Sequence, residues 1–112
     1  MKISEYKFSK EYIPLASKYH EYDEKYANVQ RDIQKYIQVE LMGKYNPNYT
    51  VAKSSIQRAG LDKDKKYLKM LKLEAKYKKI RDNYGKLALK YIEEYIHKYG
   101  YSEYSRCCNK YF

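Results

Sequence analysis

The sequence contains little of what disulfide-rich, membrane-spanning or β-sheet proteins require. It has no tryptophan, two phenylalanines, two prolines and four glycines, and no uninterrupted apolar run of about 18 residues. Its two cysteines, Cys107 and Cys108, are adjacent, and adjacent cysteines do not easily adopt ordinary disulfide geometry. We therefore expect no disulfide framework and no transmembrane segment. The two cysteines are interpreted as reduced thiols, with an intermolecular disulfide or a metal contribution as alternatives.

Signal-peptide and catalytic motifs are also missing. The N-terminal residues contain no apolar signal-peptide core, so the sequence predicts an intracellular, cytoplasmic protein. His20 and His97 fall on different predicted helices, with no nucleophile motif or glycine-rich phosphate loop beside them. These absences predict a protein that is not an enzyme and uses no cofactor.

Two weak metal patterns stand against this interpretation. Glu94 and His97 form the Glu-x-x-His spacing of di-iron bundles, for which Glu21 and Glu40 are conceivable further donors. A zinc site built from His97 and the two cysteines lacks the residues that normally separate such thiolates. Because both patterns are incomplete, we predict no metal site.

Tyrosine is unusually abundant, with 17 residues in 112. Each buried ring contributes a large apolar area, but its hydroxyl must reach water or a hydrogen-bond partner. Thin helical assemblies meet this requirement more easily than thick globules. Most of the tyrosines are therefore predicted to serve in the core or at an interface.

Apolar residues recur at helical spacing, and no strand alternation of useful length occurs. Pro14 is predicted to begin the first long helix, with Ile13 extended before it. The seam of that helix runs at 4,3 spacing through Leu15, Tyr19, Tyr22, Tyr26, Val29, Ile33, Tyr36 and Glu40. Gly43 is its predicted C-cap. Before it, Ile3, Tyr6 and Tyr12 are available for docking.

After a turn at Asn46-Pro47-Asn48, Thr50 is predicted to cap a short helix that Gly60 closes, and Asp62 to cap a second long helix. The predicted division of a single helical domain over 1–112 is an N-terminal segment 1–13, a long helix 14–42, a connector 43–61, a long basic helix 62–99 and a tail 100–112. The tail is expected to place Tyr101, Tyr104, Cys108 and Tyr111 on one side. The predicted fold class is all-α, a long antiparallel helical hairpin with short accessory helices. Because two helices bury little, a homodimer or higher homo-oligomer is expected to complete a bundle.

Positive charge is concentrated in the second half of the chain. Of the formal net charge of +10, residues 51–112 carry +9. On the second long helix the basic residues follow one face at 4,3 spacing, interrupted only by Asn83: Lys65, Lys69, Lys72, Lys76, Lys79, Lys86 and Lys90. This lysine stripe spans about 37 Å at the rise of an α-helix. It lies one residue from a predicted apolar seam of Met70, Leu73, Tyr77, Ile80, Tyr84, Leu87 and Tyr91.

An extended row of ammonium groups is suited to a polyanion. The sequence therefore predicts a protein that binds DNA or RNA through phosphates along the lysine stripe, without strong sequence specificity. Residues 50–71 show only a generic resemblance to a helix-turn-helix unit, because Ile56 occupies the usual small position. Tyr67, Tyr99 and Tyr101 could stack on unpaired bases.

Several alternatives use the same charge. The chain could be a helical interaction module for an acidic protein partner, a small viral or mobile-element inhibitor, or a structural, coat-like protein, and the stripe could be no more than a solvated face. The Lys-, Tyr- and Ile-rich composition is similar to that of small proteins of archaeal viruses and A+T-rich mobile elements, including helical-hairpin coat proteins that coat DNA. The likeness is one of composition and carries no motif. If a virus encodes the protein, the host cell or the virion is the expected location.

Overall fold

The chain is all-α, as predicted. The structure is a computed structural model that describes residues 2–112, and 86% of these residues are helical with no strand among them. Its elements are α1 (Ile3–Lys7), a π-helical segment (Phe8–Tyr12), α2 (Ile13–Met42), α3 (Lys53–Arg58), a 3-10 turn (Leu61–Lys63), α4 (Lys65–Tyr99) and α5 (Tyr101–Tyr111). The two long helices correspond to the predicted ones.

Contacts divide the chain into two compact units. The first unit contains the chain up to Tyr22 together with Ile80–Phe112, and the second unit is Asp23–Lys79. In each unit a portion of α2 lies antiparallel to a portion of α4, as a helical hairpin requires. The single domain over 1–112 and the completion of a bundle by oligomerisation stay predictions.

Pro14 does not begin the first long helix, contrary to the sequence-based expectation. Ile13 is helical, with φ −56° and ψ −43°, and its N–H donates to the carbonyl of Phe8 five residues earlier. This wider π-type turn lies just before Pro14, where the ring would otherwise clash with the preceding helical carbonyl. The helical path therefore continues from Ile3 through Met42 instead of breaking into an extended Ile13.

The second unit has an aliphatic core. Its buried residues are Val29, Ile33, Ile37, Val51 and Ile56, against which half-buried side chains from the 3-10 turn and α4 pack. β-Branched residues have few rotamers to lose, so such a core is well defined. The antiparallel pairing is visible in two contacts: the Lys66 ammonium lies 4.8 Å from the ring centre of Tyr36, and that of Lys25 lies 5.9 Å from the ring centre of Tyr77.

Two glutamines of α2 hold the connector against the second unit. The Gln38 side chain is 0% exposed; its amide donates to the Tyr49 carbonyl at 2.7 Å and accepts from the Asn46 backbone N–H at 2.7 Å. The Gln34 side chain accepts from the backbone N–H of Val51 at 3.2 Å. These bonds satisfy polar groups that would be costly to bury unpaired. Sequence reasoning missed them because glutamine on a helix is usually exposed.

The caps differ from two predictions. Asp64, not Asp62, begins α4: its side chain accepts from the Tyr67 backbone N–H at 3.0 Å and from the Tyr36 hydroxyl at 2.7 Å. Asp62 lies instead inside the 3-10 turn. Thr50 does not cap α3, which starts after Ala52 with no side-chain cap. Each correction moves the start of a helix two residues along the chain.

The glycine stops are as predicted. Gly43 and Gly60 adopt positive φ angles of 74° and 75° after α2 and α3, conformations that glycine reaches at low cost. Gly100, with φ 93°, ends α4 and leads directly into α5.

The first unit has an aromatic core made by the two ends of the chain. Phe8 (0% exposed), Tyr95 and Cys107 are buried, and rings of Tyr12, Tyr91, Tyr104 and Tyr111 pack against them. Of the residues expected to dock the N-terminal segment, Tyr12 packs in this cluster but Ile3 and Tyr6 are exposed. In the tail, Cys107 rather than Cys108 is fully buried, and Tyr101 is exposed. The tail forms an 11-residue helix, α5.

Ion pairs fasten α5 to α1. Glu5, which is buried, accepts from Lys110 and from Arg106, the latter at 3.3 Å. Glu103 pairs with Arg106 at 2.6 Å and accepts from the Ser4 hydroxyl at 2.9 Å. The Arg106 and Ser4 hydrogen bonds lower the pKa of Glu103 to about 2, and the Lys110 hydrogen bond lowers the pKa of Glu5.

Candidate nucleic-acid interface

The lysine stripe faces solvent along α4. All seven of its lysines are exposed, and on a helix of 3.6 residues per turn they lie roughly opposite the residues that face α2. Exposure is the low-energy arrangement for ammonium groups, because burial without partners is costly.

The face of α4 that packs on α2 is shifted from the predicted seam. Leu73 and Leu87 are exposed, while the residues that follow them, Glu74 and Ala88, turn inward. The other five predicted seam residues are half-buried. In the first unit a small residue allows the shift, since a Cβ added to Gly85 would lie 3.2 Å from the Tyr19 ring. The ring of Tyr19 thus occupies space that a leucine would need.

The stripe divides between the units. Lys65, Lys69, Lys72, Lys76 and Lys79 belong to the second unit, and Lys86 and Lys90 to the first. The five lysines of the second unit are spread over 15 residues of continuous α-helix, a rise of about 21 Å. This portion alone is long enough to contact several successive phosphates.

The stripe keeps its charge available. Within residues 2–112, none of its seven ammonium groups forms an ion pair with a carboxylate. The nearby acidic residues are placed elsewhere: Asp82 pairs with Arg81 at 3.0 Å, Asp64 caps α4, and Glu74 lines a cavity beside α3. A lysine row without internal counter-charges attracts counterions that a polyanion can displace.

The cap at Asp64 sets where the stripe begins. The hydrogen bond from Tyr36 lowers the pKa of the Asp64 carboxyl, and the same bond raises the pKa of Tyr36 to about 12. Asp64 is therefore ionised at neutral pH, where its negative charge favours the helix N-terminus. Lys65 is the first residue after this cap.

The tyrosines considered for base stacking are not on the stripe. Tyr67 packs against the aliphatic core of the second unit, and Tyr99 packs with the aromatic core of the first. Tyr101 is exposed but lies on α5. Within each unit the lysines of the stripe are thus exposed on α4, and these rings are not among them.

The residues of the two metal patterns are placed unfavourably for a cation. Among the described residues no group of three His, Cys, Asp or Glu side chains could hold a metal ion. Glu94 and Glu11 line a small cavity with Lys7 and Lys98, whose ammonium groups oppose cation binding. Cys107 and Cys108 are both free, and the Cys107 sulfur lies 3.3 Å from the Tyr95 hydroxyl.

One surface of the first unit was not predicted as a site. A groove of about 320 Å³ between α2 and α4 is lined mainly by apolar and small side chains, including Ala16, Tyr19, Gly85, Leu89 and Ile92. The sequence signal that could have identified it is the 4,3,4 spacing of Gly85, Leu89, Ile92 and Ile96.

Comparisons with known proteins find no relative. No protein-family model matches the chain, and neither the search of the curated proteins nor that of the solved structures finds a match. None of the helices in residues 2–112 combines the length and the apolar character needed to cross a membrane.

Proposed function

We propose that the chain is a non-enzymatic, intracellular nucleic-acid-binding protein whose lysine stripe contacts the backbone phosphates of DNA or RNA. The observation that carries the proposal is that all seven lysines of the stripe are exposed on α4 and that none of them forms an ion pair with a carboxylate within residues 2–112. The five of the second unit form the proposed minimum contact, and Lys86 and Lys90 extend it.

The chemistry of the stripe favours binding without strong sequence specificity. Lysine acts as a mobile point charge, whereas base recognition typically uses bidentate contacts from Arg, Asn or Gln. Asn83 alone offers such a group within the series. Contacts of this type fix a protein on the phosphate backbone and carry no base information.

Salt dependence tests the proposal directly. If five to seven lysines contact phosphates of a duplex, the logarithm of the association constant should fall with the logarithm of salt concentration at a slope of about −4.5 to −6. Fluorescence anisotropy with labelled duplexes of unrelated sequence, repeated with RNA, measures this slope. Absent or salt-insensitive binding to both DNA and RNA would refute the proposal.

A matched pair of variants assigns the contacts. Changing Lys69, Lys72, Lys76 and Lys79 to Gln keeps helix propensity almost unchanged and should reduce the slope by about 3.6. The control changes four exposed lysines off the stripe to Gln, namely Lys35, Lys44, Lys53 and Lys78. It removes the same charge, so equal losses from both variants would mean that only net charge matters. Circular dichroism checks that both remain helical.

An acidic protein is the competing partner. It would use the same charge but would be recovered with the tagged protein after nuclease treatment, and the variant without the four stripe lysines would lose it.

The predicted homo-oligomer is a separate part of the proposal. A second copy of the chain would present a second lysine stripe.

A further inference from the structure

The first unit covers an apolar stripe of α4 only in part, since Gly85, Ile92 and Ile96 are half-buried and Leu89 is exposed. Gly85, Leu89, Ile92 and Ile96 follow one another at 4,3,4 spacing beside the groove between α2 and α4. Leu89 is 62% exposed, and the groove contains only His20 as a titratable side chain besides its tyrosines. Four apolar or small residues at this spacing form the type of seam that a coiled-coil partner helix covers.

Two charged residues flank this stripe on its solvent side. Lys86 follows Gly85, and Glu93 follows Ile92, so each stands one position after a seam residue. Both are exposed, and neither forms an ion pair within residues 2–112. They are seven residues apart, or about 10.5 Å along the helix, too far to pair with each other.

An antiparallel second copy would satisfy both charges. In an antiparallel pair of identical helices, the same flank of each helix faces that of the other. A lysine and a glutamate seven residues apart on that flank can therefore each face the opposite charge of the partner helix. We propose that a second copy of this chain docks on the groove, with α4 antiparallel to the partner's α4. Lys86 then faces Glu93 of the partner subunit, and Glu93 faces the partner subunit's Lys86.

The same register also pairs the residues of the apolar stripe. Leu89 lies against Ile92 of the partner subunit, and Ile96 of the partner subunit lies at the groove beside Gly85 and Tyr19. Each contact occurs twice, as the isologous interface of a two-fold dimer requires. The interface uses residues of the first unit only. It specifies the face of the predicted homo-oligomer. Because it engages Lys86, the phosphate contacts of the dimer are left to the other six lysines of the lysine stripe, which include the five of the second unit.

Leu89→Gln tests the seam, with Leu87→Gln as its matched control. Leu87 is also exposed on α4 but lies outside the apolar stripe of Gly85, Leu89, Ile92 and Ile96. We expect wild type and Leu87→Gln to sediment at twice the 13.6 kDa chain mass, and Leu89→Gln to dimerise about a hundredfold more weakly, since two leucines lose their burial. A monomeric wild type at high micromolar concentration, or a dimer that Leu87→Gln breaks and Leu89→Gln does not, would overturn the proposal.

A charge exchange tests the register. Lys86→Glu or Glu93→Lys alone places like charges opposite each other twice and should weaken dimerisation about tenfold at low salt. The double variant K86E/E93K restores opposite pairs and should recover the wild-type association constant. Failure of this rescue would exclude the antiparallel register. All masses are measured without nucleic acid. A monomeric Leu89→Gln variant that still binds DNA would show that binding through the lysine stripe does not require this dimer.

Discussion

The two units show how one pair of helices can be stabilised in two chemically different ways. In the second unit, β-branched aliphatic residues form the core and two glutamines hold the connector. In the first unit, Phe8 is surrounded by tyrosines, and ion pairs join α1 to α5. The aliphatic core needs few polar contacts, whereas the aromatic core must provide a partner for each buried hydroxyl. The comparison predicts different responses to mutation and pH.

Removing the central ring of the first unit should have the largest effect. Phe8→Ala would delete a ring that packs against Tyr12, Tyr95, Tyr104 and Tyr111, at a cost of about 3–5 kcal/mol in the free energy of unfolding. Hydrogen exchange should show protection lost in α5 and kept in α3. The control Phe112→Ala truncates an exposed ring and should cost much less. Equal loss in both units would mean that they unfold together.

Ile37→Ala is the corresponding change in the second unit. The side chain is fully buried, and the resulting cavity should cost about 2–5 kcal/mol. Protection should be lost first in α3 and in the α2 portion of the second unit, the reverse of the Phe8→Ala pattern. Ile3→Ala, at an exposed position, is the control. If hydrogen exchange shows loss in α5 instead, the division into two units has no energetic meaning.

The long helices were predictable because periodicity, Gly43, Gly60 and Gly100 all act through local sequence. The predictions failed where distant residues decide. Asp64 rather than Asp62 caps α4 because Tyr36 of α2 donates to it, and Leu73 and Leu87 face solvent because the packing against α2 selects their neighbours. The exposure of the lysine stripe follows from periodicity, but the absence of ion pairs to it within residues 2–112 depends on where acidic side chains such as Asp64 and Asp82 point. A single sequence does not contain that information.

Gln38 tests the polar side of the second unit. Gln38→Leu keeps the volume but leaves the Asn46 backbone N–H and the Tyr49 carbonyl without their side-chain partner, which should cost about 1–3 kcal/mol. The backbone amides of the connector should lose protection from hydrogen exchange, while the backbone amides of the aliphatic core keep theirs. Gln30→Leu, at an exposed position of α2, provides the control for added apolar surface. A neutral Gln38→Leu would mean that water satisfies both groups.

Acid should loosen the first unit through Glu103. Its pKa in the folded chain is about 2, below the ordinary value of 4.5, so its contribution to stability is complete above about pH 4.5 and is lost as the pH falls towards 2. The thermal midpoint should therefore decrease over this range. In Glu103→Gln the decrease should be smaller and the midpoint at pH 6 lower. An identical pH profile for the two proteins would show that the Arg106 pair contributes nothing.

The smallest effect is expected from a single hydroxyl of the aromatic core. The Tyr95 hydroxyl donates to the Ser4 carbonyl at 3.1 Å, which leaves its oxygen free to accept from the Cys107 thiol at 3.3 Å. Tyr95→Phe keeps the ring and removes both bonds, so we expect a loss of about 1 kcal/mol in the free energy of unfolding. The ring of Tyr101 is exposed. Tyr101→Phe should therefore change the free energy of unfolding by only a few tenths of the loss expected for Tyr95→Phe. Denaturant titration of both variants measures the difference. Because an aromatic core depends on such bonds and an aliphatic core does not, equal values for Tyr95→Phe and Tyr101→Phe would remove the chemical distinction between the two units.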